Sequence, residues 1–286
     1  MNENNKKSRG WLWLAPSIFI IGILSTAGFL KALQNSLAAN QHPLMYYMEL
    51  YQNPVFLKSL GFTIWITLVS TILSILIGWG ICKVTVPYLK KASNRLIIWI
   101  PMMFPHFVWA YMVYLLVNPS GVISITLVEI GLVENRESFP LLVQDKWGIG
   151  TIITYVWKEV PFVILMLLPA YVEMDTRYKE QASLLGASKW KVFKIAELPW
   201  IAPTLLEILL ILVAFIFVGY EVPALVGSSE QKALGVLLFD WFYGGNVANR
   251  PLGYALAVSL TITMGIMAWF GFRKARTMRQ RLVNSA

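Results

Sequence analysis

Charge is scarce in this chain. Asp, Glu, Lys and Arg make up 14% of its 286 residues, where soluble domains carry about 25%. Cysteine is scarcer still: Cys82 stands alone, which excludes an internal disulfide and leaves redox chemistry a poor reading. Two histidines and scattered acids form no catalytic or metal-ligating constellation, so no metal, cofactor or enzymatic activity is expected. The phosphate-cradling pattern G-x-x-x-x-G-K-[ST] does not occur, so nucleotide binding of that kind is excluded. No internal repeat, low-complexity tract or linker marks off a second domain.

What is present is apolar. Hydrophobic residues reach 57%, above the roughly 45–50% of soluble domains, and they cluster into six runs at 11–33, 59–82, 96–117, 149–172, 199–222 and 251–272. A helix needs about 20 such residues to cross a bilayer. Ser59 to Cys82 and Pro251 to Phe272 hold no Asp, Glu, Lys or Arg at all. A membrane barrel would instead show short segments alternating apolar and polar residues. The expected fold class is therefore all-α, a polytopic membrane protein with six transmembrane helices. The first run is too long for a signal-peptide core and no small-x-small cleavage site closes it, so it is read as a helix.

The net charge of +9 invites a nucleic-acid reading, and the placement of the charges answers it. Of the 24 Lys and Arg, 17 fall in four segments: Lys6, Lys7 and Arg9; Lys83, Lys90, Lys91 and Arg95; Arg177, Lys179, Lys189, Lys191 and Lys194; and Arg273, Lys274, Arg276, Arg279 and Arg281. With six spans all four segments lie on one side, as the positive-inside rule requires of the cytoplasm. Both termini are expected to be cytoplasmic, and no nucleic-acid partner is expected. The expected organisation is a tail at 1–10, a membrane domain at 11–272 containing an inner loop at 174–199, and a basic cytoplasmic tail at 273–286. Tryptophans near span ends, including Trp11, Trp13, Trp99, Trp147, Trp200 and Trp241, read as interfacial anchors. Pro101, Pro105, Pro161 and Pro169 lie inside the third and fourth spans and are expected to kink them.

The inner loop is the most informative stretch. A plain connection between neighbouring helices takes about 2–8 residues; MDTRYKEQASLLGASKWKVFKIAELPWIAP, beginning at Met174, is longer and patterned. Arg177 to Leu185 favours helix, Gly186 interrupts it, and Ser188 is a good N-cap for a second helix running to about Ala196. Trp190, Phe193 and Glu197 follow at three- and four-residue spacing among lysines. Such an elbow suits a partner's groove, and equally suits the inner leaflet. The residues alone leave both open.

The register of this loop resembles the EAA loop of ABC importer permeases, the binding-protein-dependent inner-membrane components. Glu180-Gln181-Ala182, Gly186-Ala187, Phe193 and Leu198-Pro199 stand at the family spacing, while Gln181 and Ala196 depart from it. Trp-Lys-Glu-Val-Pro-Phe at 157–162 also resembles family members. The resemblance implies that Glu180, Ala182, Gly186, Ala187, Trp190, Phe193, Leu198 and Pro199 couple the chain to ATP-binding cassette ATPase subunits. It also implies a second, homologous permease subunit, an extracytoplasmic substrate-binding protein and a bacterial inner-membrane location. Leu185-Gly186-Ala187-Ser188 is closer to the polyamine, ferric-iron, thiamine and phosphonate importers than to sugar importers, so a polyamine is the first expectation for cargo.

Four polar residues fall inside the apolar runs. Lys158, Glu159, Glu207 and His106 are candidates for a substrate path. The competing reading is interhelical pairing that fixes packing, for example Lys158 with Glu207. Two other mechanisms compete with the permease reading. An ion-coupled secondary transporter would use these groups as relays but should show inverted repeats. A membrane-embedded enzyme would need a clustered nucleophile and base.

Overall fold

The computed structural model describes residues 3–39, 42–174, 177–228 and 230–285, with thirteen α-helices and no strands among those residues. In chain order they are α1 (Glu3–Ser36), α2 (Met45–Gln52), α3 (Pro54–Leu89), α4 (Ala92–Met103), α5 (His106–Val117), α6 (Val122–Glu129), α7 (Ile149–Glu173), α8 (Arg177–Leu184), α9 (Lys189–Val192), α10 (Leu198–Phe217), α11 (Glu221–Val226), α12 (Leu234–Tyr243) and α13 (Arg250–Ser285). Among the described residues six stretches are long and apolar enough to cross a membrane: Leu14–Ser36, Pro54–Leu89, His106–Glu129, Ile149–Glu173, Lys189–Phe217 and Val247–Leu282. In hydrocarbon each unpaired backbone group is costly, so such runs close their hydrogen bonds internally as helices.

The chain divides into two compact units, Met1–Pro54 with Asp240–Ile262, and Val55–Phe239 with Thr263–Ala286. In the first, the Ser36 and Tyr47 hydroxyls lie 2.7 Å apart, joining the end of α1 to α2. The Tyr51 hydroxyl donates to Ser259 Oγ at 3.3 Å, joining α2 to α13. Phe242 meets Tyr254 edge-on, with ring centroids 4.9 Å apart. From Leu14 to Gly28 α1 is exposed, as suits a helix whose solvent is lipid.

In the second unit α7 is the central helix, packed against α4, α5, α10 and α11. Asp145 starts it, accepting the backbone N–H of Ile149 and of Trp147, each at 2.8 Å. That placement satisfies one of the free amides at the helix start and sets an anion at its positive end. The residues that α3 buries include a row of small ones at helical spacing, Ser59, Thr63, Thr67, Ser70, Ser74 and Gly78, beside the larger Phe56, Phe62 and Ile66. Gly78 meets α7, where a side chain in its place would collide with Val163. Small residues allow backbones this close, and close approach replaces the hydrophobic force that lipid does not supply.

Two expected spans change shape. The third, expected as one helix over 96–117, is two: α4 ends at Met103, Phe104 is extended (φ −85°, ψ 137°), and α5 begins at His106. Pro105 is the cause, since it lacks an N–H and disfavours helical backbone at the residue before it. The apolar stretch able to cross lies further along, at His106–Glu129. The fifth, expected over 199–222, ends at Phe217, and α11 follows as a separate short helix. Gly219 sits in that break against the buried Tyr155 hydroxyl, where any side chain would clash. The last helix continues through the basic segment to Ser285. Not every expected anchor faces outward: Trp241 is buried, and Trp200 donates its indole N–H to Ala170 O at 2.7 Å. Both pack on protein. The side chains of Trp11 and Trp13 lie outside those described.

Candidate functional site

The inner loop folds as an elbow, with Asp175 and Thr176 outside the described residues. α8 ends where Gly186 adopts φ +78°, a left-handed value that no side chain favours. The Gly186 N–H donates to Ser183 O and the Ala187 N–H to Ala182 O, both at 3.0 Å, so the wrap-around turn pairs two otherwise orphaned carbonyls. Nothing lies within 4 Å of a Cβ built at Gly186. Glycine is needed there for backbone conformation and not for space. Ser188 then caps α9, accepting the Lys191 N–H at 3.4 Å.

From Lys189 the backbone runs without a break into α10. Between them Phe193–Glu197 is a π-helical turn, in which the Leu198 N–H reaches Phe193 O. Pro199 supplies a reason, since its ring cannot donate and crowds the carbonyl four residues back, which a wider turn relieves. The expected second helix ending near Ala196 is therefore part of one rod with the fifth span.

The elbow's outer surface is apolar. Leu184 and Leu185 are 87% and 88% exposed, and Trp190 is 63% exposed. Trp190 stacks on Phe193 at 5.3 Å, and Lys194 Nζ sits 5.0 Å from the Trp190 ring. Glu180 is exposed while Ala182 is buried under the turn. Leu198 and Pro199 lie on the exposed side of the rod.

Glu197 is not on that surface. It is 3% exposed. Lys83 Nζ donates to its Oε2 at 3.0 Å and lies 2.9 Å from its Oε1, while the Tyr171 hydroxyl donates to Oε1 at 2.7 Å. The Trp79 indole N–H donates in turn to the Tyr171 oxygen at 2.7 Å. Reading the sequence places Glu197 on the Trp190 face, because seven residues is two α-turns. The π turn carries it off that face.

The intramembrane charges gather in two places. Lys158 is 5% exposed and donates to the backbone carbonyls of Pro101 at 2.9 Å, Met102 at 3.1 Å and Phe104 at 2.5 Å. These carbonyls lie at the frayed end of α4, left without amide partners by the break at Pro105. A cation there also complements the negative end of the helix. Glu159, beside it, meets His106 Nε2 at 2.9 Å, at the first residue of α5. Lys158 and Glu159 thus hold the two sides of the broken helix.

Glu207 lies elsewhere. Arg279 donates to its two oxygens at 3.0 and 2.8 Å. The expected Lys158–Glu207 pair is absent: Lys158 is engaged with α4 and Glu207 with α13. Glu207 and Arg279 line a groove of about 640 Å³ together with Glu173, Trp200, Thr204 and Met166. Among the described residues no His, Cys, Asp and Glu cluster is arranged to hold a metal. Trp79 and Lys83 share a face of α3 at four-residue spacing, but no local spacing relates them to Tyr171 or Glu197, so reading the sequence does not mark them as a site.

Comparison with known proteins places this geometry. The family model for binding-protein-dependent transport system inner membrane components matches residues 85–276, which include α7, the elbow and α10. The spermidine/putrescine transport system permease protein PotB of Escherichia coli is 22% identical over 280 residues, covering 96% of this chain and 97% of its own length. The inner membrane ABC transporter permease protein YcjO of the same organism is 25% identical over 273 residues, covering 90% of each. Among solved structures, a bacterial ABC transporter that imports the acidic polysaccharide alginate has a similar chain, with TM-score 0.72, 20% identity and coverage of 96% and 98%. The MetNI methionine ABC transporter in an inward-facing form is similar over 78% of this chain and 95% of its own, with TM-score 0.52 and 19% identity. At such identities the structures report on fold alone.

Proposed function

This chain belongs to the binding-protein-dependent transport system inner membrane components, and from that premise we propose that its cargo is a small polar or cationic solute such as a polyamine and that its elbow receives the stroke of a separate ATPase. The chain is a multi-pass inner membrane protein and the permease subunit of an ABC importer.

One observation carries the coupling reading. A glycine-pivoted elbow presents Leu184, Leu185 and Trp190 to its surroundings and is continuous through a π turn with the fifth span. Exposed apolar anchors among lysines fit a cleft on a soluble partner. Glu180, Ala182, Gly186 and Ala187 hold the bend, Trp190 and Phe193 seat it, and Leu198-Pro199 join it to the span. The clustering of basic residues at the elbow, after α3 and along the end of α13 supports a cytoplasmic placement of both termini. A second homologous permease completes the pathway, and a binding protein delivers cargo from outside.

The polyamine reading rests on the full-length similarity to a permease named for spermidine and putrescine. The groove that holds Glu173, Glu207 and Trp200 also holds Arg279, paired with Glu207, so an alkylammonium there would exchange with that guanidinium for the carboxylate and meet the indole face. Lys158, Glu159 and His106 serve the path indirectly, by fixing the break between α4 and α5. Uptake into proteoliposomes containing the assembled importer tests the assignment. Spermidine or putrescine should be transported with ATP, and transport of only iron, thiamine, phosphonate or sugar would replace it.

A further inference from the structure

Glu197, buried at the base of the elbow, is bound to residues from two other helices: Lys83 and, through Tyr171, Trp79. Trp79 and Lys83 belong to α3 and Tyr171 to α7. A second, aromatic chain runs alongside. The exposed Trp190 stacks on Phe193, whose ring centroid lies 5.3 Å from that of Trp79, and Lys83 Nζ lies 5.2 Å from the Phe193 ring. Both chains join the elbow to α3, and the hydrogen-bonded one also reaches α7 through Tyr171.

A push on Trp190 would reach α10 directly, because the backbone is continuous. α7 already packs on α10, where Trp200 donates to Ala170 O, so the ties through Glu197 matter most for α3, which they join to the elbow. The Glu197 end of the pair is buried while the Lys83 side chain is 43% exposed, so the tie draws on the buried Tyr171 hydrogen bond to the carboxylate as well as on the charge pair.

We propose that Glu197 is a positioning residue that locks the elbow to α3 and α7, so that a displacement delivered at Trp190 moves three membrane-spanning helices as one body. This rests on the coupling reading above. The π turn is what permits it, because it takes Glu197 off the docking face and points it inward.

The test uses the complete importer in proteoliposomes, with ATP hydrolysis, solute uptake and co-purification of the ATPase measured on the same samples. E197Q should bind ATPase and hydrolyse ATP as wild type does, while uptake falls by roughly tenfold or more, within the usual span of coupling free energies. Tyr171→Phe, which keeps the charge pair, should shift the uptake-to-hydrolysis ratio the same way by less. The exchange K83E/E197K should transport better than either single change. Wild-type uptake in E197Q and Tyr171→Phe, or uptake and hydrolysis falling in equal proportion, would overturn the assignment. So would an exchange no better than its parents. If E197Q fails to reach the membrane, the ratio in Tyr171→Phe decides alone. Failure of the coupling reading shows on a different axis: Trp190→Ala would then leave ATPase co-purification intact.

Discussion

The Lys158 ammonium lies 2.5 Å from the carbonyl oxygen of Phe104, the residue at which the third apolar run breaks. With Pro101 and Met102 it closes the end of α4 by a side chain from another helix. A break caused by proline is thereby stabilised by lysine, and the charge that looked anomalous in an apolar run has a structural task.

Lys158→Met should therefore destabilise the protein, since three carbonyls at the end of α4 lose a charged donor, while Pro101 O keeps the Trp109 indole N–H at 2.9 Å. Hydrogen bonds to charged groups contribute about 1.5–3 kcal/mol each and are not additive. A fall of about 3 kcal/mol is expected, seen as a thermal midpoint in detergent lower by roughly 6–12 °C. Lys158→Arg should lose less. An unchanged midpoint in Lys158→Met would show that the carbonyls find other donors.

Glu207→Gln should behave differently. Arg279 is 57% exposed, and its pair with Glu207 is screened, so its removal should cost under about 1 kcal/mol. The thermal midpoint should stay within about 3 °C of wild type, while uptake of polyamine against a neutral competitor should fall. A large loss of stability with unchanged selectivity would assign Glu207 to packing.

Gly186→Ala places a side chain at φ +78° with open space around it. The penalty is conformational, about 1–2 kcal/mol, enough to reduce the bent population and ATPase affinity by roughly 5–30-fold. Gly186→Asn should be milder, because Asn tolerates left-handed backbone. Equal ATPase binding by all three proteins would mean that the bend is not what the partner reads.

Trp190→Ala removes an exposed ring and should leave the thermal midpoint nearly unchanged. Binding of the ATPase, measured by co-purification or titration in detergent, should weaken by about 2 kcal/mol, the threshold of an anchoring residue. Lost stability with retained binding would place Trp190 in the fold and not at the contact.

Much of this was legible locally. The elbow at Gly186, the cap at Ser188 and the span at 149–172 were readable because each depends on residues within a turn or two. The break at Phe104–Pro105 was only half legible. Pro105 announces a kink, but α4 separates fully because Lys158 and Glu159 supply partners to the two sides, and those arrive from α7.

The sequence by itself determined that this is a helical membrane protein with a bent inner loop. Long apolar runs in lipid must satisfy their own backbones, and that demand has one helical answer whatever the neighbours. Only the tertiary structure decided which charge meets which. Lys83 and Glu197 are 114 residues apart, Lys158 and Pro101 are 57 apart, and His106 and Glu159 are 53 apart. Partnership over such separations depends on which helices lie side by side and how each is rotated, and a single turn of π-helix is enough to move Glu197 from one face to another.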